Sequence, residues 1–438
     1  MNEMSAICVK AYVHFDFKGL ALSPDELCAQ FEAVKNLGAA GVLLEWEDIF
    51  PYEGVLDKVR SRFAYAKEDV ARVLRAAEKL DLDVIPLVQT FGHLEFILKL
   101  PSFACLRENA DDPGTLCPAH PASKSLVAAM LTQITALHPG SSRIHIGCDE
   151  PVLSASVRLQ KAQHVISGHI ACTLSTLKSI KPSIKALMWH DAAVGMDDAA
   201  LSKLLASGVE IVCWDYTPKA KESTAAQFAE RCLRHRGIAP HIATAYKGAE
   251  ASDAIVPDES VRRQNQISWH QWVRSKTLPT RVDSWTVVLT GWSRFSHLQP
   301  LVEDFFSGWN SLAQALEIWT GAKSSNCQRG RMGRFASLCK TLSETRRELR
   351  RIEKDVRNNT PPSTARHPIA LCVRQWLAAA KSKGALLKDV EREILDSNLK
   401  HAFQKDWEEF ISCKLGETIK QAAETNSALK LLLQEVSK

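Results

Sequence analysis

The sequence predicts an α/β chain, a (β/α)8 TIM barrel followed by a helical extension. Three observations carry this. Apolar, strand-like runs recur eight times with room for a helix after each, the alternation of a parallel α/β architecture. Polar and aromatic residues gather where each run ends, and a barrel of this kind keeps its chemistry at the carboxyl ends of its strands. The competing doubly wound sheet would carry a Gly-rich phosphate loop after its first strand, and "DFKGLALSP" at 16–24 is no such loop.

The runs in order are "ICVKAYVHFDF", "GVLLEWED", "DVIPLVQTFGH", "RIHIGCDE", "KALMWHD", "VEIVCWDY", "HIATAYKG" and "WTVVLTGW", beginning at Ile7, Gly41, Asp83, Arg143, Lys185, Val209, His241 and Trp285. The first ends in Asp16 and Lys18, the second in Glu45, Trp46, Glu47 and Asp48, and the third in Gln89, His93 and, just beyond, Glu95. Asp149 and Glu150 close the fourth, whose β-branched Ile144 and Ile146 give it the character of a short buried strand. The last four end in Trp189 and Asp191, in Trp214, Asp215 and Tyr216, in Tyr246 and Lys247, and in Trp292 and Arg294. A lone Trp is ordinarily core and a lone Asp ordinarily a helix cap. Their recurrence at every run end is what points to a site. The long stretch after the third run reads as an inserted loop.

Length and composition set the class. The 438 residues, 45% of them hydrophobic, are enough for one large core and an additional unit. A charge of +5, spread along the chain, implies no nucleic-acid partner, and no run is long enough to span a membrane. Twelve cysteines form no CxxC pair, and several lie in apolar runs, as reduced, buried thiols do. The opening "MNEMSAICVKAYVHFDFKG" carries Glu3 and lacks the apolar core of a signal peptide. The expected compartment is therefore the cytosol, with the nucleus as a further location.

A ring of carboxylates and aromatics at a barrel mouth suits a sugar, whose hydroxyls take hydrogen bonds while its C–H faces lie on Trp and Tyr rings. Asp16, Lys18, Glu45 and Tyr246 are candidates for sugar contact on this ground. Glycoside cleavage needs a proton for the leaving oxygen and stabilisation of an oxocarbenium-like carbon, ordinarily from two carboxyl groups. Adjacent residues on a regular strand point to opposite faces, so the chain must turn between Asp149 and Glu150 for both to reach one pocket. Pro151 disfavours the helical region for Glu150 and makes that turn plausible.

The motifs "LLEWEDIFPYEG" at 43–54, "VIPLVQTFGHLEF" at 84–96, "LHPGSSRIHIGCDE" at 137–150, "CWDYTP" at 213–218, "AYKGA" at 245–249 and "LTGWSRFSH" at 289–297 go further. Through them the chain, over about residues 7–320, resembles the family 20 glycoside hydrolases, most closely their hexosaminidase D branch. The resemblance implies a retaining exo-β-N-acetylhexosaminidase without cofactor or metal, in which the substrate's 2-acetamido oxygen is the nucleophile. By position it makes Glu150 the general acid/base and Asp149 the residue that orients the acetamido group. It makes Trp189, Trp214 and Trp292 aromatic walls, Asp215 and Tyr216 the polar pair beside them, and His93 a neighbour of the acids. Two positions depart from the family pattern. Lys18 stands where many members have a hydroxyl-holding Arg, and Arg294 where many have a hydroxyl-gripping Glu. C4 configuration should then be read loosely, with both N-acetylgalactosaminides and N-acetylglucosaminides as substrates. The expected partner is a glycan or glycoconjugate ending in N-acetylhexosamine.

Two other classes stay open. A metal-dependent barrel hydrolase could use His93, Asp149 and Glu150 as ligands, and a non-catalytic glycan-binding barrel could use the Trp walls alone. The barrel is expected over 1–324 and the helical region over 325–438, where "SETRRELRRIEKDVRNN" reads as a solvated helix face and "NNTPPSTARHP" at 358–368 as a linker. Apolar positions there, including Trp376, Leu386 and Trp407, are expected to face the barrel or a second copy in a homodimer.

Overall fold

The computed structural model describes residues 8–19, 21–155, 157, 162–235, 239–252, 254–276, 284–299, 305–323, 331–358, 388 and 416–436. Eight parallel strands close a barrel: β1 Val9–Asp16, β2 Gly41–Glu45, β3 Asp83–Leu87, β6 Arg143–His145, β7 Lys185–Trp189, β8 Glu210–Trp214, β9 His241–Lys247 and β10 Trp285–Gly291. Each lies in one of the eight apolar runs. The barrel closes where Val9 pairs with Trp285 and Tyr12 with Gly41. The inserted loop after β3 holds short helical turns and the antiparallel hairpin β4 Arg107–Asn109 and β5 Asp112–Leu116.

Strands covered on both faces become continuously apolar, and β2, β9 and β10 are buried at every position. Tyr12, Leu43, Ile85, Leu187, Val212, Ala243 and Val288, one from each of seven barrel strands, form a buried apolar cluster. The outer helices start on side-chain caps: Ser23 accepts the Glu26 N–H at 3.3 Å, Asp197 that of Ala200 at 2.7 Å and Ser223 that of Ala226 at 3.2 Å. After the helix Trp309–Thr320, Gly321 ends the turn in the left-handed region.

Two helices beyond residue 324 are described, Arg331–Asn358 and Glu417–Val436. The first buries Phe335, Cys339, Leu342 and Leu349 along one stripe and exposes Arg347, Glu348, Arg350 and Arg351. Its Phe335 ring lies 6.2 Å from Phe306 of the barrel, and Arg346 pairs with Glu417 at 3.4 Å. Trp376, Leu386, Trp407 and the stretch 359–368 lie outside the described residues.

Candidate active site

The fourth strand is shorter than its apolar run. It ends at His145, and the chain then passes through Gly147, Cys148 and Glu150 at φ +66°, +73° and +43°. Three left-handed residues within four positions turn the backbone so that Asp149 and Glu150 both face the barrel mouth. Gly147 has a steric reason too: a Cβ there would stand 1.9 Å from Gln89 Oε1. Of the five described non-glycine residues at positive φ, four (Glu47, His93, Cys148, Glu150) lie at carboxyl ends of strands, where backbone strain tends to collect at functional sites.

A cavity of about 320 Å³ opens at that end, lined by Lys18, His93, Asp149, Glu150, Trp189, Trp214, Tyr216, Trp292, Arg294 and Phe295, with Gly248 and Ala249. The acid pair shares one base: His93 Nε2 is 3.5 Å from Asp149 Oδ2 and 3.4 Å from Glu150 Oε2. Their environments differ. Asp149 is buried, whereas the Glu150 side chain is 56% exposed. Burial, reinforced by Asp191 and Glu45, pushes Asp149 up to about 7 against the pull of His93. The His93 hydrogen bond holds Glu150 below the usual carboxylate range. Burial opposes charge on His93 itself, yet Asp149 and Glu150 overcome it and raise His93 to about 9. Asp149 Oδ1 is buried without a hydrogen-bond partner among the described residues.

The walls are aromatic. Trp189 and Trp292 meet at 5.9 Å between ring centroids, and Trp214 stacks on Tyr216 at 5.2 Å. Trp292 Nε1 donates to the Tyr216 hydroxyl at 3.2 Å, which fixes that hydroxyl against the Trp292 wall. Asp191 accepts the Glu150 backbone N–H at 2.7 Å and the Trp214 indole N–H at 3.1 Å. It thereby ties one wall to the acid-bearing turn.

An acid pair on one base, floored and walled by tryptophan at the mouth of a parallel barrel, is the arrangement that comparison with known proteins can test. Residues 36–231 match the catalytic domain of Glycosyl hydrolase family 20. The chain is 38% identical over 320 residues to "Hexosaminidase D" of Homo sapiens, covering 70% of this chain and 64% of that protein. It is 36% identical over 317 residues to "Hexosaminidase D" of Bos taurus, covering 70% of this chain and 90% of that protein. The chain belongs to glycosyl hydrolase family 20. Its match spans just under two thirds of the human relative's length. In fold it is similar to the chitobiase of Flavobacterium johnsoniae, with a TM-score of 0.56 at 11% identity, covering 98% of this chain and 72% of that one.

Within this family 20 site the structure brings together Asp149, Glu150, His93, Trp189, Trp214, Tyr216, Trp292, Lys18 and Arg294. Four other candidates from the sequence, Asp215, Tyr246, Asp16 and Glu45, do not line the cavity. The Asp215 carboxylate folds back on its own turn, accepting from Thr217 N–H at 2.8 Å and Oγ1–H at 2.6 Å. Tyr246 is wholly buried in the barrel wall and donates to the His14 carbonyl at 3.2 Å. Asp16 is taken up by the Ser293 N–H at 2.7 Å and the Lys18 N–H at 2.9 Å. Glu45 lies beneath the cavity, bonded to His14 at 3.0 Å and to Gln89 at 3.2 Å. A polar residue at a strand end can point inward, back or sideways, and sequence does not say which.

Asp16, Glu45 and Glu47 offer oxygens within 4.8 Å of one another, a spacing that could suit a metal ion. Lys18 serves as their cation: its ammonium is 3.2 Å from Glu47. Burial opposes that charge, but Glu47, Asp16 and Glu45 hold Lys18 well above its usual value. The Lys18 ammonium also stands 5.9 Å from the centre of the Trp292 ring. Arg294 spends two N–H groups on loop carbonyls, Gln299 at 2.8 Å and Gly19 at 3.2 Å. Sequence reasoning left Asp191, Glu47 and His297 without roles. Asp191 and Glu47 had the same strand-end signal as the residues chosen, whereas nothing local marks His297, which bonds Glu47 from the loop after β10.

Proposed function

We propose that the protein is a retaining exo-β-N-acetylhexosaminidase that releases terminal N-acetylgalactosamine or N-acetylglucosamine from glycans and glycoconjugates by substrate-assisted catalysis. The observation that carries this is the acid pair: a buried Asp149 with one oxygen on His93 and the other unpartnered, beside an exposed Glu150 on the same histidine. Asp149 Oδ1 accepts the acetamido N–H and turns the acetamido oxygen towards C1, while the Tyr216 hydroxyl donates to that oxygen. The oxygen attacks C1, the glycosidic C–O bond breaks, and Glu150 gives its proton to the departing oxygen. The Asp149 charge stabilises the resulting oxazolinium. Glu150 then takes a proton from water as the water attacks C1, reopening the ring with overall retention. In the free protein His93 holds its proton more tightly than either acid, and Glu150 is the more readily ionised of the two. Sugar binding excludes water from Glu150 and raises its proton affinity, which prepares the acid. The described cysteines are free thiols, in keeping with a cytosolic or nuclear location.

The two acids separate kinetically. Glu150→Gln should lower kcat/KM by at least about 100-fold for poor leaving groups, and much less for an activated aryl leaving group in the first step. Asp149→Asn weakens orientation and charge stabilisation, which every leaving group needs, so its loss should be similar on both substrates. Efficient cleavage of an aryl hexoside bearing a free 2-hydroxyl, or a covalent glycosyl ester trapped on either acid, would overturn substrate assistance.

A further inference from the structure

Five large apolar side chains are exposed among the described residues: Val55 (75%), Val152 (52%), Val194 (43%), Phe295 (38%) and Leu298 (65%). All five lie in segments that follow the carboxyl end of a barrel strand, on the face that carries the cavity. Scattered exposed apolar residues need no explanation, but confinement to one face of a barrel points to something that face binds.

The cavity itself limits what that can be. At about 320 Å³ it lies near the lower bound of ligand pockets, enough for one sugar ring with its acetamido arm. Glu150, the proton donor to the glycosidic oxygen in the reading above, is the exposed member of the acid pair, so whatever hangs from that oxygen leaves the cavity past Glu150. Phe295 lines the cavity together with Glu150 while remaining 38% exposed, which places its ring at the rim. The loop presenting Phe295 is pinned on both sides: Ser293 N–H to Asp16 at 2.7 Å, and His297 to Glu47. A side chain exposed on a fixed backbone is a preformed contact surface, with little ordering cost on binding.

We infer that Phe295 forms an apolar aglycone platform, and that the substrates favoured by this site carry an apolar group directly on the anomeric oxygen. This rests on the hydrolase reading of the same site. Octyl and methyl N-acetylhexosaminides test it, because both leave as simple alkoxides and differ in apolar area. The wild type should favour the octyl glycoside by about tenfold or more in kcat/KM, the scale of a desolvated aromatic contact. Phe295→Ser should bring the octyl-to-methyl ratio close to one, and Phe295→Leu should retain most of it. Val55→Ser, on the same face but outside the cavity, should leave the ratio as in the wild type. A wild type indifferent to the chain, or a ratio that survives Phe295→Ser, would overturn the platform while leaving the hydrolase intact. Cleavage of neither glycoside would overturn the hydrolase reading and the platform with it.

Discussion

His93 stands between two carboxylates, and its proton sets the charge that each of them carries. A cation beside a carboxylate favours the ionised form, so His93 lowers the proton affinity of both Asp149 and Glu150. Its removal must raise both. On the proposed mechanism the acid limb of the kcat/KM profile follows ionisation of Asp149 in the free enzyme, and in His93→Asn that limb should move to higher pH. Asn suits the test because it tolerates the φ of +52° that this position requires. A limb unmoved in the variant would show that Asp149 does not depend on His93. Arg294 illustrates the limit of reading single residues: its position at a strand end is plain in the sequence, but its grip on the Gln299 and Gly19 carbonyls depends on two loops far apart in the chain.

At the scale of elements, the site is an agreement between two loops. Gly92, after β3, packs so closely on the turn after β6 that a Cβ would stand 2.0 Å from the Asp149 carbonyl oxygen. That neighbour is backbone and cannot swing aside. Gly92→Ala should therefore displace the acid-bearing turn, and a misplacement near 1 Å costs about 100-fold in rate. The measurement is kcat/KM with the fold checked by circular dichroism; wild-type activity would show that the two loops are not locked together. The eight barrel strands are legible in sequence because a strand buried on both faces must be apolar throughout. The hairpin of β4 and β5 is not, since Arg107, Glu108 and Asn109 are half-buried and carry no alternation. The early end of β6 is signalled only by Gly147 and Pro151.

The whole molecule contains a set of histidines that folding keeps neutral. Burial lowers His138 to about 4, His145 to about 3, and His169 and His190 to about 4, against an ordinary 6.5. Between pH 6.5 and about 4 the unfolded chain binds these protons and the folded one does not. Stability is therefore lost as pH falls through that window, by about 1.4 kcal/mol per pH unit for each histidine fully within it. Four buried carboxyls work in the opposite direction over part of the same range: Asp149, raised to about 7, Asp48, raised to about 6, and Glu47 and Asp191, both held above the usual carboxylate range by burial. The histidine contribution is read by difference: the fall in Tm from pH 7 to pH 4 should be smaller in His169→Gln than in the wild type, and an equal fall would show that His169 titrates in the folded protein as it does in solvent.

What the sequence by itself determined is the barrel and the gathering of polar residues at the carboxyl ends of its strands. Parallel strands need continuous apolar runs, and chemistry at their carboxyl ends needs polar residues just beyond, so both leave a one-dimensional trace. What only the tertiary structure decided is direction and partnership. Asp149 and Asp215 occupy equivalent places at strand ends, yet one carboxylate meets His93 in the cavity and the other folds onto Thr217. Glu45 and Glu150 are both acids on the same face, yet one is sealed under the floor with His14 and the other is exposed at the rim. Those differences arise from backbone torsion at one or two residues and from neighbours brought in by distant strands, and no local pattern in the chain encodes them.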